Sequence, residues 1–311
     1  MLFKLIVATL TLALQVSDAT LAAESDPVGS LPLKVMTFNL RTTLANDPCP
    51  SGCWEQRKHR IQQMLAKYAP DLIGTQEGAP DQIKFFQNNL QYGSVGECAG
   101  DCQWNERNSI FYVQDRWQLL ENTTFALSDT PEQIPSNTWN LEYLRAAVLA
   151  RFQLKQTDSG SVSICMLNTH FDITRGHEQS ALLVAQRLAQ FCRPHDVVFM
   201  TGDLNAAPTE TAVQYLIGEA ALNGASTPIP MYETFLASNI TGPTWIDSSF
   251  SNVTYGSKLD YILTRRGDAR TVLQSAHIIV DTFDGFSVSD HAVLQSEFRI
   301  GGASVADVSS P

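Results

Sequence analysis

The sequence lacks an excess of basic residues, internal repeats and long low-complexity linkers. Lysine and arginine number 21 against 32 aspartates and glutamates, so the formal net charge is −11. A field of that sign repels phosphate backbones and argues against nonspecific nucleic-acid binding through a basic surface. A polyanionic substrate stays open, because a bound divalent cation reverses the local sign within a cleft. The 311 residues, 44% of them hydrophobic, suffice for the core of one large globular domain.

The first 23 residues are typical of a signal peptide. Lys4 precedes an apolar run over residues 5–16, and small residues follow it. Because the run is shorter than the ~20 residues of a membrane-spanning helix, we expect a secreted, extracellular protein without stable membrane insertion. The predicted layout is a signal peptide over 1–23, one domain over 24–300 and a flexible tail over 301–311, in a monomer. Three N-x-S/T sequons agree with a glycosylated surface, at Asn122, Asn239 and Asn252.

The six cysteines form three neighbouring pairs along the chain: Cys49 and Cys53, Cys98 and Cys102, and Cys165 and Cys192. An even number in an oxidising compartment makes disulfides the default. The first two pairs lie in short loops, where local pairing and cross-pairing between the loops are both open. The third pair either forms a disulfide or stays as two buried thiols. A zinc site built by the two loops is a further alternative, although no histidine lies at ligand spacing.

Short β-rich runs alternate with longer amphipathic stretches from residue 34 to residue 299. The pattern predicts roughly nine strands and four helices, which is typical of mixed sheets covered by helices. No shift in composition marks a second domain. The helices are predicted over residues 54–68, 79–91, 177–192 and 209–217.

Polar side chains stand at the ends of several hydrophobic runs, where an open α/β sheet exposes its side chains to a crevice. They are carboxylates, carboxamides and imidazoles, and no serine or cysteine lies in a nucleophile elbow. Taken singly, an Asp or Asn after a strand is more often a turn or a helix cap. Six such strand ends in one chain favour a functional site. The candidates are Asn39, Glu77, His170, Asp172, Asp203, Asn205, Asp260, Asp290 and His291.

These residue types suit the hydrolysis of a phosphate ester. Oxygen ligands such as Asn39, Glu77 and Asp290 suit a hard divalent ion such as Mg²⁺, for which Mn²⁺ can substitute. Asp203 can orient or deprotonate an attacking water, and Asn205 can donate its amide to a phosphoryl oxygen. In such a site, positioning and charge neutralisation supply most of the catalysis.

Six short blocks also carry a family resemblance. They occur in the order Thr37–Asn39, Gln76–Glu77, Asn168–Asp172, Gly202–Asn205, Leu259–Ile262 and Ser289–His291. Together they resemble the endonuclease/exonuclease/phosphatase superfamily, which includes pancreatic-type deoxyribonucleases, abasic-site endonucleases, inositol polyphosphate 5-phosphatases, neutral sphingomyelinases and nocturnin-like deadenylases. The resemblance covers residues 34–299. It implies a four-layered α/β/β/α sandwich of two mixed β-sheets flanked by helices, with the site at one end.

The resemblance implies a role for each candidate. Asn39 and Glu77 would bind the metal, with Asp290 nearby, while Asp203 would align the water and Asn205 the scissile phosphate. The remaining roles concern the substrate: His291, held by Asp260 or Asp290, would act on the phosphate as acid/base or transition-state stabiliser, and His170 would lie at the leaving-group side. The block Glu106–Tyr112 resembles one in secreted and bacterial members. The implied substrate-binding residues are Asn108, Arg145 and Asp172.

Three functions follow from these features. The first is a phosphoesterase that acts on a small molecule or a lipid headgroup, and the acidic charge mildly favours it. The second is a nuclease, either an endonuclease or a 3′–5′ exoribonuclease, although basic loops are not evident. Sphingomyelin as substrate predicts an exposed apolar loop, and none stands out in the sequence. The third is a catalytically inactive binding protein, which would lack one of Glu77, Asp203, Asn205 or His291, and all four are present.

Overall fold

A computed structural model of the protein describes residues 30–155 and 162–301. The predicted signal peptide, 1–23, and all but the first residue of the predicted tail lie outside the described residues. The described chain contains twelve strands, β1 to β12. In order they are Leu31–Asn39, Leu72–Gly78, Tyr92–Val95, Arg107–Val113, Trp117–Ala126, Ala146–Leu154, Ser163–His170, Val197–Asp203, Met231–Glu233, Asp260–Arg265, Thr271–Ile279 and Val293–Ile300.

Five α-helices and one 3₁₀ turn complete the described fold. The helices α1 to α5 span Trp54–Tyr68, Pro80–Asn89, His177–Phe191, Thr211–Leu216 and Thr234–Ala237, and the 3₁₀ turn spans Thr43–Ala45. Within residues 30–155 and 162–301, no helix is both long and apolar enough to cross a membrane.

The strands form two six-stranded mixed sheets. The first has the order β11-β12-β1-β2-β4-β3 and the second the order β5-β6-β7-β8-β10-β9. Each sheet has one parallel pair at its centre, β1 with β2 and β7 with β8, and its other neighbours are antiparallel. The carboxyl ends of these four strands carry four of the six polar blocks found in the sequence, and the other two lie at the starts of β10 and β12.

Three apolar clusters define four layers. In β1, Val35 belongs to the cluster between the two sheets, whereas Met36 and Phe38 pack with Ile61 of α1 on the outer face of the first sheet. This alternation follows from the two-residue period of a strand. On the outer face of the second sheet, a cluster joins β6, β7 and β8 to α3 and α4. The predicted α/β/β/α sandwich is confirmed.

One buried asparagine links the two sheets. Asn168 of β7 donates from Nδ2 to Thr75 O of β2 at 2.8 Å, and its Oδ1 accepts from Gln76 Nε2 at 2.7 Å. The sheets approach so closely here that a Cβ on Gly74 would lie 2.0 Å from Thr201 Oγ1. Glycine is required at this position by the close approach of the sheets.

Three elements were missing from the sequence prediction, and the count of nine strands and four helices was too low. The strands β3 and β9 have four and three residues, and α5 has four. Segments of this length show no measurable periodicity, and both strands lie at sheet edges, where half of the backbone pairing is absent. The predicted helix 209–217 is shorter in the structure, as α4.

Each of the six cysteines forms a disulfide with its neighbouring cysteine in the sequence. The disulfides are Cys49–Cys53, Cys98–Cys102 and Cys165–Cys192. Cross-pairing of the loops and a zinc site are thus not formed, and the third pair is a disulfide rather than two thiols. It joins β7 to the end of α3 across 27 residues, so it fixes the helix against the sheet that holds the site.

Candidate active site

Four strand ends supply the centre of the site. Asn39 ends β1, and Glu77 is the penultimate residue of β2, while His170 ends β7 and Asp203 ends β8. In the second sheet, Asp203 lies opposite both His170 and Asp260 in register. The antiparallel β10 starts where β8 ends, so its first residue joins the same edge. Both sheets thus contribute side chains to one buried polar cluster, with one half around Asn39 and the other around Asp203.

The first half is built around an amide. Asn39 Nδ2 donates to Glu77 Oε1 at 3.0 Å and to Asp203 Oδ2 at 3.1 Å, so it bridges the sheets. Glu77 has a left-handed backbone, φ 60°, and its Oε2 accepts the backbone N–H of Thr42 at 3.1 Å. A non-glycine residue in this conformation costs about 1–3 kcal/mol, and such residues cluster at functional sites.

Asp290 lies beside this half, in the loop before β12. Its Oδ2 is 3.2 Å from Arg41 Nη1, and its Oδ1 accepts from Ser289 Oγ at 3.2 Å. Ser289 also donates to the carbonyl of Asn39 at 2.7 Å, which ties the loop to the end of β1. Burial raises the pKa of Asp290 to about 6; the charge of Glu77 adds to this effect, and His291 and Arg41 oppose it.

The second half contains a histidine between two carboxylates. His291 Nδ1 lies 2.9 Å from Asp260 Oδ2 and 3.6 Å from Asp203 Oδ2. The sequence left Asp260 and Asp290 open as partners of this ring, and Asp260 is the one that contacts it. Burial lowers the pKa of His291, but the charges of Asp260 and Asp203 outweigh burial and hold the pKa well above its usual value. The ring is therefore stabilised in its charged form.

A second histidine lies on the other side of Asp203. His170 Nε2 is 3.6 Å from Asp203 Oδ2 and 3.1 Å from Asn205 Nδ2, and its Nδ1 is 2.8 Å from Glu106 Oε2. The same carboxylate oxygen accepts from Arg145 Nη1 at 2.8 Å. Arg145 Nη1 also lies 2.9 Å from His170 Nδ1, so Glu106 and Arg145 both approach this ring nitrogen, while the Asn205 amide lies against Nε2.

The buried ion pair fixes the charge on this side. Burial would raise the pKa of Glu106, but Arg145 and His170 outweigh it and lower that pKa to about 2. Burial and Arg145 lower the pKa of His170, and the carboxylates of Glu106 and Asp203 outweigh them, so the net direction is upward. Glu106 is therefore a charged anchor for the ring.

The backbone turn at Asn205 positions its side-chain amide. It has a left-handed φ of 46°, its N–H donates to Asp203 Oδ1 at 3.0 Å, and its Nδ2 also donates to Phe171 O at 3.1 Å. The tight turn after β8 therefore places the amide beside His170.

The three predicted substrate-binding residues differ in their surroundings. Asn108 Nδ2 donates to Ala146 O at 2.7 Å, and its buried Oδ1 has no partner among the described residues. The guanidinium of Arg145 is engaged by Glu106 and His170. Asp172 accepts backbone N–H groups of the neighbouring loop, which lower its pKa against the opposing effect of burial. The structure thus brings Arg145 to the cluster but gives Asp172 contacts of a loop-stabilising kind.

A cavity of about 410 Å³ opens beside the cluster, and both Glu77 and Arg145 line it. Four of its lining residues are also large exposed hydrophobics: Leu44, Trp104, Tyr143 and Ile173. The sequence predicted no exposed apolar loop, and the apolar character here comes from single side chains. These side chains come from separate loops, so they form no run in the sequence.

The sequence profile of the Endonuclease/Exonuclease/phosphatase family matches residues 36–291. The chain belongs to this family. The matched span contains every candidate residue named above, from Asn39 to His291.

Two curated proteins are similar to this family member. Protein angel of Drosophila melanogaster is 22% identical over 190 residues, which are 58% of this chain and 51% of that protein. The "Probable RNA exonuclease NGL3" of Saccharomyces cerevisiae is 26% identical over 218 residues, with shares of 62% and 41%. The chain therefore spans about half the length, or less, of these relatives.

Solved structures share the fold of the family member over nearly its whole described length. A mannosyl-6-phosphatase of Bacteroides thetaiotaomicron has a TM-score of 0.72 at 22% identity and covers 86% of this chain and 99% of its own. The human Nocturnin catalytic domain has a TM-score of 0.65 at 20% identity, with coverage of 86% and 94%. At these identities the likeness shows the fold.

The family typically uses a divalent metal, and the donors present fit one. Asn39, Glu77 and Asp290 offer hard oxygen atoms. The negative charge of Glu77 helps to raise the pKa of Asp290, and a bound cation would relieve the repulsion between these two carboxylates. Asp203, Asp260 and His291 form a second group, with ligand atoms within 4.8 Å of one another. In that group Nδ1 of the imidazole already faces Asp260, so the oxygen set suits Mg²⁺ better.

Sequence reasoning missed several residues of this site. Glu106 was included in a motif without a role, and Arg41 and Trp104 were not considered. Arg41 follows the end of β1 by two residues, and Trp104 follows a loop with closely spaced cysteines. Those positions were the available signals. The partners that give these residues a role come from distant parts of the chain.

Proposed function

We propose that the protein is a secreted, divalent-metal-dependent phosphoesterase that hydrolyses phosphate esters by metal-assisted attack of water. One observation carries the proposal: two buried histidines flank the Asp203 carboxylate, each 3.6 Å from the same oxygen, and each is anchored by a further carboxylate. Paired histidines of this kind, held on a central acid, suit proton transfer on both sides of a phosphate.

Each side chain has one task in this scheme. Asp203 orients the water and takes up its proton. His291, kept charged by Asp260, stabilises the charge that develops on the phosphate. Asn205 Nδ2 donates to Phe171 O and would give its other hydrogen, which now faces His170, to a phosphoryl oxygen. His170, anchored by Glu106 at the leaving-group side, would in its protonated form supply the proton to the leaving oxygen.

Asn39, Glu77 and Asp290 would hold the metal. A bound Mg²⁺, or Mn²⁺ in its place, supplies charge neutralisation for the phosphate. Arg41 pairs with Asp290 and limits the repulsion between that carboxylate and Glu77 in the free protein.

Two features support a small substrate within this class. The net charge of −11 disfavours a long polyanion, and the cavity beside the cluster is of small-molecule size. A mannosyl-6-phosphatase among the structural neighbours is consistent with this choice. The second candidate is a ribonuclease, favoured by the likeness to the "Probable RNA exonuclease NGL3".

The test uses purified protein with Mg²⁺ or Mn²⁺, with and without EDTA, on phosphomonoesters, single-stranded RNA, duplex DNA and sphingomyelin. We expect EDTA-sensitive release of phosphate from monoesters, and a loss of about 10²–10⁴-fold in H291A. The matched control is H277A, a histidine on the exposed side of β11. Turnover that is insensitive to EDTA, or near-normal turnover in H291A, refutes the mechanism. Preferred cleavage of RNA, with a steep fall in rate as salt rises, selects the nuclease.

Export is tested separately. The three disulfides and the apolar N-terminal run support a secreted protein. Expression of the full chain in cultured eukaryotic cells should place the protein in the medium, cleaved between residues 20 and 24 and sensitive to an N-glycosidase. Retention of an uncleaved chain in the cells would contradict this part.

A further inference from the structure

We propose that the cavity beside the cluster binds the organic part of the substrate, and that it accepts one sugar ring stacked on Trp104. The inference rests on the proposed phosphoesterase function and names its substrate class. It depends on three observations: an apolar wall, a closed loop that presents the tryptophan, and unpartnered polar atoms among the lining residues.

The apolar wall of the cavity is unusual for a solvent-exposed surface. Trp104 is 70% exposed, and Leu44, Tyr143 and Ile173 are each about half exposed around the same cavity. Exposed apolar side chains that gather at one place mark binding sites more often than scattered ones do. The volume, about 410 Å³, lies in the range of small-molecule sites, roughly 300–1,000 Å³. One ring fits this volume better than a track for several nucleotides.

The loop that carries Trp104 is closed on itself. The Cys98–Cys102 disulfide closes its first part, and the backbone N–H groups of Trp104 and Asn105 both donate to Asp101 O, at 2.9 and 2.8 Å. The loop ends at Glu106, the anchor of His170. A large side chain held in water by a constrained loop loses little conformational entropy when a ligand stacks on it. The same loop therefore presents the stacking face and the catalytic anchor.

The polar atoms of the wall complete the pattern. Glu106 Oε1 and Arg145 Nε are buried without a hydrogen-bond partner among the described residues, and both residues line the cavity. A buried polar atom without a partner is costly, so a ligand that supplies one gains affinity. A sugar has an apolar C–H face for an aromatic ring and hydroxyl groups at its edge for a carboxylate and a guanidinium. That combination matches the wall.

The ring reaches the cavity either as a monosaccharide phosphate or as the ribose of a mononucleotide. The experiment therefore measures kcat and KM for hexose 6-phosphate, ribose 5-phosphate, AMP and the ring-free glycerol 3-phosphate. The proteins are the full chain and its W104A, W104F and Y232A variants. Tyr232 is the matched control, an exposed tyrosine on β9 outside the cavity lining. Isothermal titration with the same ligands provides a readout that does not depend on turnover.

We expect W104A to raise KM for the preferred ring substrate about 10-fold, with kcat nearly unchanged. Glycerol 3-phosphate should change less than twofold, W104F should recover most of the loss, and Y232A should match the wild type. A preference for ribose 5-phosphate and AMP over hexose 6-phosphate assigns the ring to ribose, and a preference for hexose 6-phosphate over both assigns it to a hexose.

Three outcomes overturn the inference. The first is an active wild type whose KM for ring substrates is the same in W104A. The second is an equal loss on glycerol 3-phosphate, which would make Trp104 a structural residue. The third is turnover of polymeric RNA alone. If the wild type hydrolyses no ester, the proposed function fails, and the titration still decides whether sugar phosphates bind and whether W104A weakens them.

Discussion

Replacing the buried Arg57 by methionine tests whether its guanidinium holds the metal side of the site in place. Arg57 lies in α1 and is 1% exposed. Its Nε donates to Gly52 O at 2.7 Å, and its Nη1 donates to Leu40 O at 2.6 Å and Val288 O at 3.3 Å. Its Nη2 donates to Arg41 O at 2.7 Å. One side chain thus joins the segments that follow Asn39 and precede Asp290.

The magnitude follows from which carbonyls lose their partner. Gln82 Nε2 also donates to the carbonyls of Leu40 and Arg41, at 3.3 and 3.0 Å, so those two keep a donor in R57M. The carbonyls of Gly52 and Val288 have no other donor among the described residues, and each buried carbonyl left unpaired costs about 1–3 kcal/mol. We expect a loss of about 2–6 kcal/mol in the free energy of unfolding and a Tm lower by roughly 10 °C.

The local effect should exceed the global one. Because Leu40 follows Asn39 directly and Val288 is two residues before Asp290, their displacement moves two proposed metal ligands. Loss of such supporting contacts typically weakens metal affinity about 10–100-fold. Thermal unfolding by circular dichroism measures the stability, and isothermal titration with Mn²⁺ measures the affinity.

The neighbouring Arg60 provides the matched control. It is also in α1 and 1% exposed, but its guanidinium donates to Ser51 O at 2.5 Å and to Pro50 O, within the loop of the first disulfide. R60M should therefore lower the Tm without weakening Mn²⁺ binding. The reasoning is refuted if R57M and R60M bind Mn²⁺ with the same affinity.

Three further predictions concern the fold. G74A places a methyl group against Thr201, so we expect a loss of about 2–3 kcal/mol in urea unfolding, and an unchanged midpoint would contradict the close approach of the sheets. Burial would raise the pKa of Asp196, but its hydrogen bonds with Arg151 outweigh burial and lower that pKa. The ionised carboxylate therefore stabilises the fold above about pH 4, and this stabilisation is lost as the pH falls further. D196N should therefore lower the Tm at pH 7, with a difference from wild type that narrows below pH 4; a pH-independent difference would contradict the assignment. Replacing both Cys165 and Cys192 by alanine opens a loop of 27 residues and should cost about 3–4 kcal/mol in the same unfolding assay, whereas equal stability with and without reductant would show that the bond contributes nothing.

The sequence predicted the fold class and most elements because their signals are local. The helix over 54–68 is identical in the structure, and the polar ends of β1, β7 and β8 indicated the sheet edge that holds the candidate site. Strand ends of parallel pairs meet at one edge, so a one-dimensional pattern carried three-dimensional information. The site roles of these residues stay predictions until the variants are measured.

Other features depend on contacts that no local pattern shows. Arg57 stands in a helix rich in charge, where a guanidinium is typical of a solvent-facing position, yet loops from distant parts of the chain bury it. Glu106 becomes an anchor because Arg145, from the loop directly before β6, forms an ion pair with it. Trp104 lies in a loop that reads as polar and irregular, and its neighbours across the cavity come from three other segments. Burial of this kind is a property of the tertiary fold.

The topology of the first sheet bears on when the candidate site can assemble during folding. Its opening strand, β1, pairs along its length with β12, so Leu31 lies opposite Ile300. During synthesis β1 can pair with β2 early, but its other edge stays unpaired until β12, near the end of the described chain, has emerged. His291 and Asp290 immediately precede the strand that completes this pairing. A chain truncated before β12 would leave this edge of β1 unpaired and would not hold Asp290 and His291 beside the other candidate residues. We therefore expect the candidate site to assemble late in folding, when β12 closes the first sheet.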